Sequence, residues 1–102
     1  MDNVQILVVG RNGQIVETVV RLVNNNAKWN ATSALTDEAA IALFESRVFD
    51  LVLLGGGIEP TSDTLLRRAF TSLNPAIIII QHYGGGSGLL ATEINMALEG
   101  LR

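Results

Sequence analysis

Three short apolar runs constrain this chain most: VQILVV at 4–9, LVLL at 51–54 and AIIII at 76–80. Each is rich in β-branched residues or leucine, lacks alternation with polar residues, and stops abruptly at Gly10, Gly55 or Gln81. Runs of this length without alternation predict strands buried on both faces, which means a parallel sheet covered by helices. A fourth segment, 28–34 (KWNATSA), is polar and only loosely alternating, so it reads as an edge strand with one side toward solvent.

Helix-period segments fill the gaps. Over 14–24, Ile15, Val16, Val19, Val20 and Val23 form one stripe, ended by the three asparagines at 24–26. Over 36–47, Thr36 is placed to cap, Asp37 and Glu38 sit at the positive end of the helix dipole, and Ala40, Ile41, Leu43 and Phe44 face inward. Over 61–73, Thr61 or Ser62 is the expected cap and Leu65, Leu66, Ala69, Phe70 and Leu73 the stripe; Asn74-Pro75 stops the helix. The last helix is expected over 88–101, with Leu90, Ile94, Ala97, Leu98 and Leu101 inward. The order βαβαβαβα, with about 25 residues per unit, predicts a doubly wound α/β fold. It is a three-layer flavodoxin-like sandwich around a parallel sheet of four strands in the order 2-1-3-4, truncated so that no fifth strand follows.

Composition narrows the class further. The 102 residues are expected to form a single domain, 1–102. At 48% hydrophobic they are too apolar for a disordered chain. The absence of cysteine excludes disulfide scaffolds and thiolate metal sites. Apolar runs of this length are far short of the ~20 residues that span a bilayer, and no signal-like leader opens the sequence, so a cytoplasmic protein with no membrane partner is expected. A formal charge of −3 with scattered arginines argues against nucleic acid as a partner. Arg67-Arg68 is a basic spot too small to change that, and Trp29 reads as a lid on the core beside the first helix.

In an open parallel sheet, ligands gather beyond the carboxyl ends of the strands. Three loops start there: GRNG from Gly10, GGGIEP from Gly55, and QHYGGGSG from Gln81. They hold nine of the ten glycines, which allow close approach of backbone or ligand.

The segments TDEAAIALFESRVFDLVLL (36–54), VQILVVG and PAIIII resemble the receiver domains of response regulators, and the tail SGLLATEINMALEGL resembles the last helix of that family. The resemblance implies a signalling domain, yet this chain departs from the family at the places that carry phosphorylation. Gly10 and Arg11 stand where an acidic pair would hold Mg²⁺, Gly55 where the phosphoacceptor aspartate would follow the third strand, and Gln81 where a hydroxyl residue would end the fourth. The family lysine after a fifth strand has no counterpart. Either the fourth helix and fifth strand have been lost and the last helix follows the fourth strand directly, or the chain stops after its fourth βα unit. Phosphoryl transfer to a carboxylate needs an oxygen nucleophile, a divalent metal and a balancing cation. Glycine offers no oxygen, and one glycine with one arginine cannot bind a hard cation. Asp50 lies at the wrong end of its strand, and Glu59 alone makes a weak Mg²⁺ site. A degenerate receiver (pseudo-receiver) is therefore expected, with no catalytic residue, metal or cofactor, acting through a protein partner.

Other readings of the same loops stay open. In a small-ligand or anion-binding module, Arg11, His82, Gly85, Gly86 and Ser87 would make the contacts, because glycine amides at a helix start can cradle an anion. The plainer reading makes the glycines turns, Ser87 a cap, Arg11 a solvated side chain and His82 a partly exposed loop residue. An enzyme with His82 as acid/base is a third reading. The GRNG turn is expected to place Asn12 or Gly13 in the left-handed region. Finally, a 2-1-3-4 sheet leaves the fourth strand at an edge, and an apolar edge is normally paired or covered. Ile77, Ile78, Ile79 and Ile80 are thus the expected edge of a homodimer, unless the last helix covers them or itself forms the contact.

Overall fold

The computed structural model describes residues 3–82 and 90–99. Eight elements alternate: β1 (Val4–Val9), α1 (Gly13–Asn24), β2 (Trp29–Ala34), α2 (Asp37–Ser46), β3 (Leu51–Leu54), α3 (Pro60–Leu73), β4 (Ile78–Gln81) and α4 (Leu90–Glu99). All strand pairs are parallel, in the order β2-β1-β3-β4, as the apolar runs predict. Among the described residues the sheet has these four strands.

Successive residues of each strand point to opposite faces, so the two sides of the sheet build two cores. Ile6, Val8, Leu51 and Leu53 pack with Val16, Val19 and Val23 of α1 and with Leu90 and Ile94 of α4. Leu7, Val9, Val52 and Leu54 pack with Ala40 and Phe44 of α2 and with Leu66 and Phe70 of α3. Trp29 joins the first core, where the sequence places it.

These faces decide what the last helix is. Right-handed crossovers that step toward β4 put their helices, α2 and α3, on one face. A crossover onward from β4 would add its helix to that same face. Instead α4 lies with α1 on the other face, so it is not such a crossover. That placement accords with a last helix that follows the fourth strand directly.

Several local expectations need correction. α3 starts at Pro60 with Glu59 as its cap residue and no capping side chain. Proline's fixed φ suits a first helical position, so Thr61 and Ser62 fall inside the first turn rather than capping it. Asn12 and Gly13 are not left-handed: Asn12 is extended and caps α1, its side chain accepting from the Ile15 N–H at 3.1 Å. Among the described residues the positive φ belongs to Gly57, at 83°, where the chain turns out of β3. The helix stripes are also narrower than expected, with Ile15, Leu65 and Leu73 exposed. Thr36 does cap α2, accepting from the Ala39 N–H.

Candidate functional site

The register aligns the four strand ends. Val9 pairs with Ala34 and with Leu54, and Leu54 pairs with Gln81. Each loop therefore leaves the sheet from one row, and its first amide extends the ladder: Gly10 N–H donates to Ala34 at 3.2 Å, Gly55 N–H to Val9 at 2.7 Å, and His82 N–H to Leu54 at 2.8 Å. Gly10 and Gly55 sit side by side between β1 and β3, where the strand order reverses and a doubly wound fold opens its crevice. Residues 83–89 lie outside the described residues, and with them Gly85, Gly86 and Ser87.

Arg11, with a quarter of its side chain exposed, is engaged by neighbouring acids. Its Nη2 meets Asp37 Oδ1 at 2.6 Å, its Nη1 donates to the Leu35 carbonyl at 3.1 Å, and its Nε reaches Glu59 Oε1 at 3.4 Å. Ser62 Oγ donates to the other Asp37 oxygen at 2.7 Å. The Ser62 hydroxyl and the Arg11 guanidinium hold the Asp37 carboxyl below its ordinary range, against partial burial. The hydrogen bond to Asp37 raises Arg11 further above its already high value, also against burial. This network ties the loops after β1, β2 and β3 together and leaves the arginine's charge balanced by two carboxylates. Among the described residues, no three His, Asp or Glu side chains gather as metal ligands would.

His82 also departs from expectation. It is buried, 2% exposed, with its ring against Glu93 of α4. Its Nδ1 lies 2.6 Å from Glu93 Oε1 of α4. Its Nε2 is buried without a hydrogen-bond partner among the described residues. His82 also lines a cavity of about 80 Å³ at the carboxyl end of the sheet, roofed by the first turns of α1. Gly10, Gly55 and Gly56 border the same space, so two of the three glycines after β3 line a cavity and the third, Gly57, makes the turn. Gln81 is turned elsewhere, its Oε1 3.4 Å from Arg67 Nη2.

Asp37, Ser62 and Glu93 were not singled out as site residues by the sequence. Their partners are 26, 25 and 11 residues away, beyond any local pattern. The one available signal was Asp37, an acid just past the end of β2 on the row where Arg11 leaves β1.

No family model and no curated protein matches the chain. Solved structures do. The receiver domain of the hybrid histidine kinase CckA superposes with a TM-score of 0.66 at 17% identity, covering 92% of this chain and 98% of that one. A response regulator receiver protein from Pseudomonas putida gives 0.67 at 20% identity, covering 95% and 81%. The signal receiver domain of NarL from Mycobacterium tuberculosis gives 0.65 at 18% identity, covering 97% and 78%. Among the described residues no helix is long and apolar enough to cross a membrane. Four parallel strands ordered β2-β1-β3-β4, with helices alternating between them, are the flavodoxin-like α/β fold that receiver domains share.

Proposed function

We propose that this chain is a non-catalytic pseudo-receiver: a single signalling domain over 1–102, acting in the cytoplasm through protein–protein contacts and not through aspartyl phosphorylation. The observation that carries this reading is the row of strand ends. At the end of β3, the nucleophile's place in the family, the residue is Gly55, and the adjacent cation is Arg11, already bound to Asp37 and Glu59. A phosphoryl group arriving there meets no free carboxylate and no acidic pair able to hold Mg²⁺. The same ion pairing weighs against the anion-binding reading, since Arg11 would first have to give up two carboxylates.

Incubation with acetyl phosphate and Mg²⁺ tests the proposal directly. Intact mass spectrometry is expected to show no phosphoryl adduct. A stoichiometric, hydroxylamine-labile adduct on Asp37 or Glu59 would overturn it.

The partner surface we favour is the open edge of β4, in a homodimer whose two β4 strands pair antiparallel across a twofold axis. The ladder supports this. The His82 N–H bonds to β3, so by the alternation of strand hydrogen bonds the Gln81 and Ile79 amides face away from the sheet. The isoleucine side chains are half-buried: Ile78 and Ile80 lie on the α1 and α4 side, Ile77 and Ile79 on the α2 and α3 side. A charge at Ile78 would therefore damage the core as well as the edge. Gln81→Pro is the cleaner variant, because it removes an outward amide and leaves the β3 ladder intact. Light scattering after size exclusion is expected to show a dimer for the parent and a monomer for Gln81→Pro, with the far-ultraviolet spectrum unchanged. A monomeric parent, or a variant that stays dimeric, would remove this edge as the interface.

A further inference from the structure

We propose that the β4-edge homodimer has its twofold axis at Ile80 and closes with Met96 of each copy against the groove beside the other's β4. The inference rests on the edge reading above and adds to it a register and a second contact.

The free amides fix the register. Along the open edge, Ile79 and Gln81 point their N–H and C=O groups outward, since the His82 amide bonds inward to Leu54. Ile77 points the same way, but its N–H already donates to the Asn74 carbonyl at 3.0 Å. Antiparallel strands exchange both hydrogen bonds between directly opposed residues of this outward set. An axis at Ile80 opposes Ile79 to the partner's Gln81 and Gln81 to the partner's Ile79, so every free amide finds a carbonyl. An axis at Ile79 would oppose Gln81 to the partner's Ile77, whose N–H is taken.

Strand pairing alone is too small. Stable interfaces bury about 1,200–2,000 Å² in total, and two strands of four residues joined edge to edge fall short of that, so flanking helices must meet as well. A twofold axis perpendicular to the sheet keeps like faces on the same side. On one face the flank is α3, whose Arg67 reaches Gln81 and whose Arg68 is exposed; the axis would set these charges against their own copies. On the other face the flank is α4. There Ile80, Met96 and Ala97 line a groove together with Gln81 and Glu93. Met96 is 67% exposed, and Glu93 is held at His82 Nδ1. The axis at Ile80 brings the two grooves together over the facing isoleucines, and a methionine side chain is flexible enough to fill irregular space.

The chain has no cysteine, so single thiols report the register. With the axis at Ile80, position 80 and its own copy form a non-hydrogen-bonded pair with Cα atoms about 4.5 Å apart, within disulfide reach. Position 79 meets its copy only diagonally, at about 7–8 Å. Position 78 is displaced from its copy by four residues, about 13 Å along the strand. Ile78→Cys, Ile79→Cys and Ile80→Cys are each treated with oxidised glutathione, and the covalent dimer is followed by non-reducing electrophoresis. Ile80→Cys is expected to cross-link at least about tenfold faster than the other two. Met96→Glu is expected to raise the dimer dissociation constant at least about tenfold by light scattering, and Met96→Leu to leave the dimer intact. Met96 is exposed, so this pair tests the contact even where a thiol in β4 weakens the fold. A monomeric parent would remove the edge and this inference together. A dimeric parent that cross-links fastest at 78 or 79, or at none of the three, or that stays as tight with Met96→Glu, would overturn this inference and leave the edge reading standing.

Discussion

Phe70→Ala is expected to lower the melting temperature by at least about 12 °C. Phe70 is fully buried and packs its ring on Phe44 at 4.6 Å between centroids, and Phe44 in turn stacks on Phe49 at 6.0 Å. These three rings join α2, α3 and the turn before β3, so the core on that face depends on one contiguous aromatic cluster. Truncating a buried phenylalanine to alanine costs about 3–5 kcal/mol in transfer energy and residual cavity. Small domains hold only about 5–15 kcal/mol in total, and each kcal/mol moves the midpoint of a domain this size by about 4–8 °C. Leu73→Ala, on the same helix but half exposed, is the comparison and should shift the midpoint by only a small part of that. A thermal melt followed by circular dichroism reads both. If Phe70→Ala melts within a few degrees of the parent, α3 does not pack on the sheet as described.

The contrast between Phe70 and Leu73 shows where sequence reading reaches and where it stops. The strands were legible because burial on both faces leaves little room for polar residues: the runs at 4–9, polar only at Gln5, and 51–54 are β1 and β3 residue for residue. Topology followed from chirality and connection length rather than from any single residue. The helix stripes were legible in phase but not in width. A helix resting on a sheet buries the residues at its line of contact, here Val16, Val19 and Val23, while Ile15 at the stripe's margin stays exposed. The site was legible in location, because the strand ends and glycine loops mark it, but its chemistry was not. Arg11 reads as an ordinary surface arginine until the register sets β2 beside β1 and brings Asp37 within 2.6 Å. His82 reads as a loop residue until α4 folds back on the α1 face and covers it. Both facts belong to tertiary structure and leave no periodic trace in the chain.

Gly10→Asp, which would place an acid where the resemblance to receiver domains puts one, is expected to unfold the domain rather than create a metal site. Gly10 has no positive φ, so the backbone does not require glycine there; the packing does. A Cβ on Gly10 would stand 2.6 Å from Val16 Cγ2. Valine in a helix is held to essentially one rotamer, so the methyl cannot swing aside. Gly10→Ala alone should cost about 1–3 kcal/mol from overpacking. An aspartate adds the desolvation of a carboxylate at a buried position, several kcal/mol more if it stays charged. α1 packs against β1 at this position, so a side chain there requires a change at Val16 first. Urea denaturation of Gly10→Ala, Val16→Ala and the pair tests this. Each single variant should be destabilised, Val16→Ala by about 2 kcal/mol for the methyls it removes. The pair should be more stable than the sum of the two losses implies, by about 1 kcal/mol or more, because the new methyl fills the space the old ones leave. Strictly additive losses, or a Gly10→Ala variant as stable as the parent, would show that α1 does not press on this corner and that glycine there has another cause.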